Sequence, residues 1–440
     1  MLSIIALFTI IIIVALLISN KITPIVALVL VPIVAAFVAG FSFAEIGDFF
    51  NSGVESVISV VIMFIFAILF FGIMQDVGLF DPLINKMIAV SKGNVIAVAV
   101  GTVVIAAVAQ LDGSGASTFL ITIPALLPLY KRLKMNPYLL LLLVGTSASI
   151  MNMLPWAGPL GRTAAVLGMD VTELWRPLIK VQVIGLILLI ALAVLLAMRE
   201  KRLIARRGDF NKEIFEEADP LDVTAQDEKS QKAAALRRPK LLWANTILAL
   251  AVIGVLVWGV IPAGLAFMIG VSIALPLNYP DMKDQMDRIK DHAPNALLMA
   301  AIILAAGSFL GILEGTLMLD SIASDLVTIL PAFVIPYLHL IIGFFGVPFD
   351  LLLSTDAYYF ALFPIVEQVV TGAGVSSLTA AYAMIIGNII GTFVSPFSPA
   401  LWLALGLAGL EMGRHIRYSL PIMWGFSIVL LAVSVLVGVV

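Results

Sequence analysis

Read for its alternation of apolar and polar positions, the chain is a series of long apolar runs separated by short polar islands. A helix crosses a bilayer with about 20 apolar residues. By that measure the first half predicts spanning helices near 2–19, 24–40, 54–75, 138–165 and 177–198. The second half predicts them near 241–258, 262–277, 294–314, 378–408 and 419–438. One further stretch is interrupted at its centre: runs 95–111 and 119–129 flank the island Asp112-Gly113-Ser114-Gly115-Ala116-Ser117-Thr118. Two short arms meeting at a Gly/Ser-rich tip predict a re-entrant hairpin, about 94–131. Irregular backbone at membrane depth persists only where protein buries it or where it lines a water-filled cavity, so this tip is a candidate binding site. A second hairpin is expected near 333–371, with Ser354-Thr355-Asp356 at its tip. The stretch 138–165 is overlong and carries Asn152, Pro155, Gly158, Pro159 and Gly161. Proline removes a backbone donor and clashes with the preceding turn, so a broken helix is expected there.

The second half repeats the first. Pro24 falls 238 residues before Pro262, and Gly72-Ile73 and Asp81 fall 239 before Gly311-Ile312 and Asp320. Ser114, Pro124 and Pro159 fall 240 before Ser354, Pro364 and Pro399, while Pro155, Gly168 and Arg176 fall 241 before Pro396, Gly409 and Arg417. Such a slowly drifting offset marks an internal duplication, with a first repeat over 1–198, a charged linker over 199–240 and a second repeat over 241–440. Five crossings plus a non-crossing hairpin give each repeat an odd count, so the two must be inverted, a transporter plan with its site at the repeat interface.

Charge orients the plan. With the basic linker cytoplasmic, 22 of the 25 Lys and Arg fall on the cytoplasmic side, the outliers being Arg162, Arg176 and Lys180. This is the positive-inside bias, and it puts both termini outside. The first hairpin then enters from the cytoplasm and the second from outside, where 315–371 holds no Lys or Arg at all.

Composition settles the class: 62% hydrophobic and 12% charged, against about half apolar and a quarter charged for a soluble domain. The chain is predicted to be an all-α polytopic membrane protein of the cell membrane. Its first apolar run has no basic residue ahead of it and no small-x-small cleavage site, and reads as a retained helix. The absence of cysteine excludes disulfides, thiolate catalysis and cysteine-ligated metals. A net charge of -3 argues for no nucleic-acid partner. No P-loop or H-E-x-x-H signature is present, and no clustered catalytic set points to an enzyme. Any energy source is an ion gradient.

Intramembrane ionisable groups are functional-site hypotheses by default, which singles out Asp112 and Asp356; capping of a half-helix is the plainer role for either. Ser114, Gly115, Ser117, Thr118, Ser354 and Thr355 lie at helix starts, where N–H groups and the helix dipole favour an anion. The broken helices add Asn152, Asn388, Ser395 and Ser398, with Thr146, Ser147, Ser149 and Thr392 beside them. Arg162 has no basic counterpart in the second repeat. It pairs with a carboxylate of the solute or snorkels to the outer interface. His339 reads as a packing residue in the second hairpin, and His292 and His415 fall in expected loops.

Several stretches resemble a known family. Gly72-Ile73-Met74, Gly78-Leu79-Phe80-Asp81-Pro82-Leu83-Ile84, Leu111-Asp112-Gly113, Leu127-Pro128-Leu129-Tyr130-Lys131-Arg132-Leu133, Met135-Asn136-Pro137 and Met151-Asn152-Met153-Leu154-Pro155-Trp156 are similar to hallmarks of the citrate–metal:proton symporters (CitMHS) of the ion transporter superfamily. The second half adds Leu353-Ser354, Asp356-Ala357, Tyr359-Phe360, Ser395-Pro396 and Gly406-Leu407-Ala408-Gly409. The resemblance implies uptake of citrate complexed with a divalent cation and coupled to protons, by a homodimer with elevator-like motion. Under it, the hydroxyls of both tips and Asn152 bind substrate, while Asp112 and Asp356 couple protons or contact the metal. No cofactor and no dedicated protein metal site are expected. A magnesium- or calcium-type ion travels with the substrate, since such ions prefer oxygen ligands. A metal-free di- or tricarboxylate symporter and a cation/proton antiporter are the alternatives.

Overall fold

The computed structural model describes residues 2–19, 22–79, 81–82, 94–207 and 235–440, and they are helical throughout, with no strand among them. The first half consists of α1 (Leu2–Ser19), α2 (Pro24–Val38), α3 (Phe43–Asp76), α4 (Val95–Ala109), α5 (Gly115–Arg132), α6 (Pro137–Met151), α7 (Gly158–Leu167) and α8 (Val171–Arg207). The second half follows with α9 (Leu242–Trp258), α10 (Ala263–Asn278), α11 (Met282–Gly315), α12 (Met318–Ile329), α13 (Leu338–Phe344) and α14 (Gly346–Phe349). After a π-helical turn over Ala357–Leu362 come α15 (Phe363–Thr371), α16 (Ser377–Ile389), α17 (Pro399–Ala408) and α18 (Met412–Leu436). Among the described residues, six helical stretches are long and apolar enough to cross a membrane.

The halves correspond element by element: α3 with α11, the α4–α5 hairpin with the one closed by α15, and the pair α6/α7 with α16/α17. This follows the repeat plan expected from the sequence, in an all-helical arrangement with several candidate membrane spans. Local sequence fixes the helix starts. Ser42 and Glu45 form a reciprocal capping box on α3. Asn94 Oδ1 accepts the Ile96 and Ala97 N–H groups at the head of α4. Asn136 caps α6 through the Tyr138 N–H, with Pro137 at the first helical position.

Two expectations change. Helices α3 and α11 run 34 residues each, well beyond 54–75 and 294–314, because their amphipathic, charged first turns stay helical. Helix α8 likewise continues to Arg207, so a linker starting at residue 199 is too early. Glu200 is 4% exposed and accepts the Asn136 N–H at 2.9 Å, which makes it part of the packed helix. The acidic middle of the linker and the positions Lys86 and Lys92 lie outside the described residues.

Helices α3 and α11 cross at glycines and form a central panel with α2 and α10. A Cβ on Gly53 would sit 2.1 Å from the Gly307 carbonyl oxygen and 2.8 Å from Gly311 Cα. The hairpins and broken helices pack across the repeat boundary, α5 against α17 and the 357–362 turn against α7. The site lies between this group and the panel.

Candidate functional site

Both hairpin tips and both helix breaks meet at one cavity of about 310 Å³, near the small end of the ~300–1,000 Å³ typical of ligand pockets. At the first tip the chain turns through Gln110–Asp112 and reverses at Gly113, whose φ of 75° is left-handed and needs no Cβ. Asp112 Oδ1 accepts the Ser114 N–H at 2.8 Å, and Ser114 Oγ then accepts the Ser117 N–H to cap α5. The tip is fastened to the first break. Gln110 donates to Asn152 Oδ1 at 2.8 Å and accepts from Thr118 Oγ1 at 2.5 Å. The Trp156 indole donates to the Leu111 carbonyl at 2.8 Å and stacks on Phe71.

The second tip is held similarly. Ser354 Oγ accepts the Ala357 N–H, Asn388 donates to the Gly346 carbonyl at 3.1 Å, and Ser395 Oγ donates to the Asp350 carbonyl at 2.5 Å. Arg162, on the helix that follows the first break, ties that break to the second tip. Its Nε donates to Asp356 Oδ1 at 2.7 Å, both residues being 8% exposed. Its guanidinium lies 5.9 Å from the Phe360 ring centroid. Arg162 therefore does not snorkel to an interface. Asp356 sits behind it as its counter-ion rather than free at the tip. Nη1 and Nη2 of Arg162 find no acceptor among the described residues, and the side chain lines the cavity.

Of the residues marked from sequence, Asp112, Ser114, Gly115, Ser117, Asn152, Arg162 and Thr355 line the cavity, together with Thr392. Thr118, Ser354, Asn388 and Ser395 do not. Their polar groups are turned into the hydrogen bonds that shape the tips and breaks. Ser398 stands at the start of α17 without a side-chain bond to the helix, outside the lining.

The panel adds three polar residues to the lining. Gln75 of α3 and His292 and Asn295 of α11 line the same cavity. His292 belongs to a helix, not to a loop. Its ring lies on Gly72, where a Cβ would be 2.5 Å from Nδ1, and its Nε2 is 2.9 Å from Asp76 Oδ2. Arg288, one turn earlier, reaches the same carboxylate oxygen at 3.3 Å. The spacing of Arg288, His292 and Asn295 puts all three on one helix face, which is the signal that could have found them. His415 is also helical rather than in a loop, buried in α18 between the Phe393 carbonyl and Ser419. His339 is buried in α13. Among the described residues, no three His, Asp or Glu side chains converge as a metal-ligand set.

Several known proteins are similar to this chain. The profile of the citrate transporter family matches residues 4–387. A citrate transporter of Bacillus subtilis is 37% identical over the full length of both chains. The Mg(2+)/citrate complex secondary transporter of the same organism is 37% identical, covering 100% of this chain and 99% of its own. The solved YdaH transporter of Alcanivorax borkumensis shares the fold at a TM-score of 0.57 and 16% identity, covering 90% of each chain.

Proposed function

The chain belongs to the citrate transporter family, and on that footing we propose that it imports citrate as a complex with a divalent cation of the magnesium or calcium type, together with protons. One observation carries the reading: Asp112 and Arg162 line the same cavity, so it offers a carboxylate and a guanidinium to one bound solute. Free citrate would bring three negative charges to a pocket that already contains Asp112. A divalent ion leaves the complex one negative charge, which is far cheaper to place in a low-dielectric interior, and the metal can face Asp112 while a carboxylate faces the Nη atoms of Arg162. The hydroxyls of Ser114, Ser117 and Thr355 and the amides of Asn152 and Asn295 supply neutral partners for the remaining oxygens. The chain is a transporter and not an enzyme, as its family and relatives are. The basic segments support a cytoplasmic linker and outside termini.

Uptake of labelled citrate into proteoliposomes tests this directly. Accumulation is expected only with an inward proton gradient, and only with magnesium or calcium present. Uptake indifferent to the gradient sinks the symport, and uptake undiminished by metal chelation sinks the complex.

A further inference from the structure

We propose that Asp350 is the residue that carries the coupled proton, in a buried site at the base of the second tip. The inference rests on the proton-symport reading and assigns the proton to a group that the cavity itself does not contain.

Asp350 closes the first arm of the second hairpin and is 2% exposed. Its backbone carbonyl is held by Ser395, but its side-chain Oδ2 has no hydrogen-bond partner among the described residues. Gly391 packs directly on that oxygen, where a Cβ would come within 2.1 Å. The phenol of Tyr359, fully buried on the same hairpin, is the second polar group there without a partner. The internal repeat supplies a control. Gln110 lies 240 residues earlier, the offset that relates Ser114 to Ser354. In that half the position is a neutral amide bonded at both ends. In the other half it is a carboxyl group with an oxygen left open.

The surroundings provide no counter-charge. Tyr358 and Tyr359 come from the second arm, Tyr358 being bonded to the Met384 carbonyl. His415 of α18 is turned to Phe393 and Ser419. The nearby cation is Arg162, already committed to Asp356. A bare carboxylate at Asp350 would be an interior anion with the neutral Asn388 amide beside it and no cation to balance it, a costly state, and a proton on Oδ2 removes that charge. The other two acids are differently employed: Asp112 faces the solute and Asp356 neutralises Arg162. Asp350 is linked to the cavity by a short route. Gly391 covers it, and the next two residues, Thr392 and Phe393, line the substrate cavity. Tyr359 lies within electrostatic reach of both Asp350 and Arg162. In the cycle the carboxylate takes one proton while the site opens outward, crosses neutral, and returns that proton to the cytoplasmic side.

Asp350→Asn, which mimics the protonated acid, separates this from a structural role. Purified protein in liposomes with a trapped pH dye is assayed for citrate–citrate counterflow, for accumulation under a pH gradient, and for lumen acidification. Wild type is expected to do all three. Asp350→Asn is expected to keep counterflow and lose both the accumulation and the acidification. A variant that still acidifies the lumen overturns the proposal. A wild type blind to the gradient overturns the symport reading instead. Should the Asn variant not reach the membrane, Asp350→Ser is put through the same three assays and judged by the same outcomes.

Discussion

Arg162 gives its Nε to Asp356 and turns the rest of its guanidinium to the cavity, so two demands fall on one side chain. Removing one member of a buried ion pair strands the other, at a cost of about 3–5 kcal/mol, whereas removing both can be nearly neutral. Arg162→Gln is therefore expected to lower the thermal unfolding temperature markedly, and the double variant Arg162→Gln/Asp356→Asn to restore most of it. Citrate uptake should be lost in both, because neither presents a cation to the solute. A double variant that regained uptake would reduce Arg162 to a structural partner. The sequence made this residue conspicuous as a lone cation without a repeat counterpart, but pairing across 194 positions is a tertiary fact that no local pattern encodes. Asp350 was harder still. It sits in an apolar arm with no polar cluster around it, and only its alignment with Gln110 sets it apart.

At the scale of the element, the crossing of α3 and α11 shows why glycine positions decide how closely two long helices approach. Small residues let membrane helices pack backbone to backbone, and Gly307, Gly311 and Gly315 repeat every four residues along one face of α11. A Cβ at Gly311 would lie 2.2 Å from the Phe49 carbonyl oxygen, a backbone atom that cannot swing aside. Gly254, in α9, meets nothing within 4 Å. Gly311→Ala should destabilise the purified protein by about 1–3 kcal/mol, the usual cost of overpacking. Gly254→Ala should leave it unchanged or gain up to ~1 kcal/mol from helix propensity. Thermal melting in detergent compares the two, and equal effects would show that the crossing is not tight. Hydropathy located both helices but cut them short, because their first turns are charged and a transfer scale reads charge as loop. That same truncation left His292 in an expected loop, although it stands in the polar part of α11 and faces the cavity. Amphipathic α12 escaped for a related reason: it is too short and too polar to register as a span.

For the whole molecule, inversion of the repeats has a consequence that ordinary duplication lacks: equivalent positions stand on opposite faces of the membrane. Arg132 ends the first hairpin and Ala373 follows the second, 241 residues apart and both exposed. The charge distribution puts Arg132, among Lys131 and Lys134, with the cytoplasmic segments, and Ala373 outside, just past a stretch without Lys or Arg. The chain contains no cysteine, so a single introduced thiol can be read without background. In intact cells a membrane-impermeant maleimide is expected to label Ala373→Cys readily and Arg132→Cys only after permeabilisation. Labelling of both from the same side would contradict the inversion, because the two hairpins would then open on one face. A reversed pattern would keep the inversion but turn the molecule over, placing the basic segments outside against the bias that orients them. Either result reaches the transport cycle, since a site flanked by tips from opposite faces can exchange its gate from one side to the other while the solute stays between them.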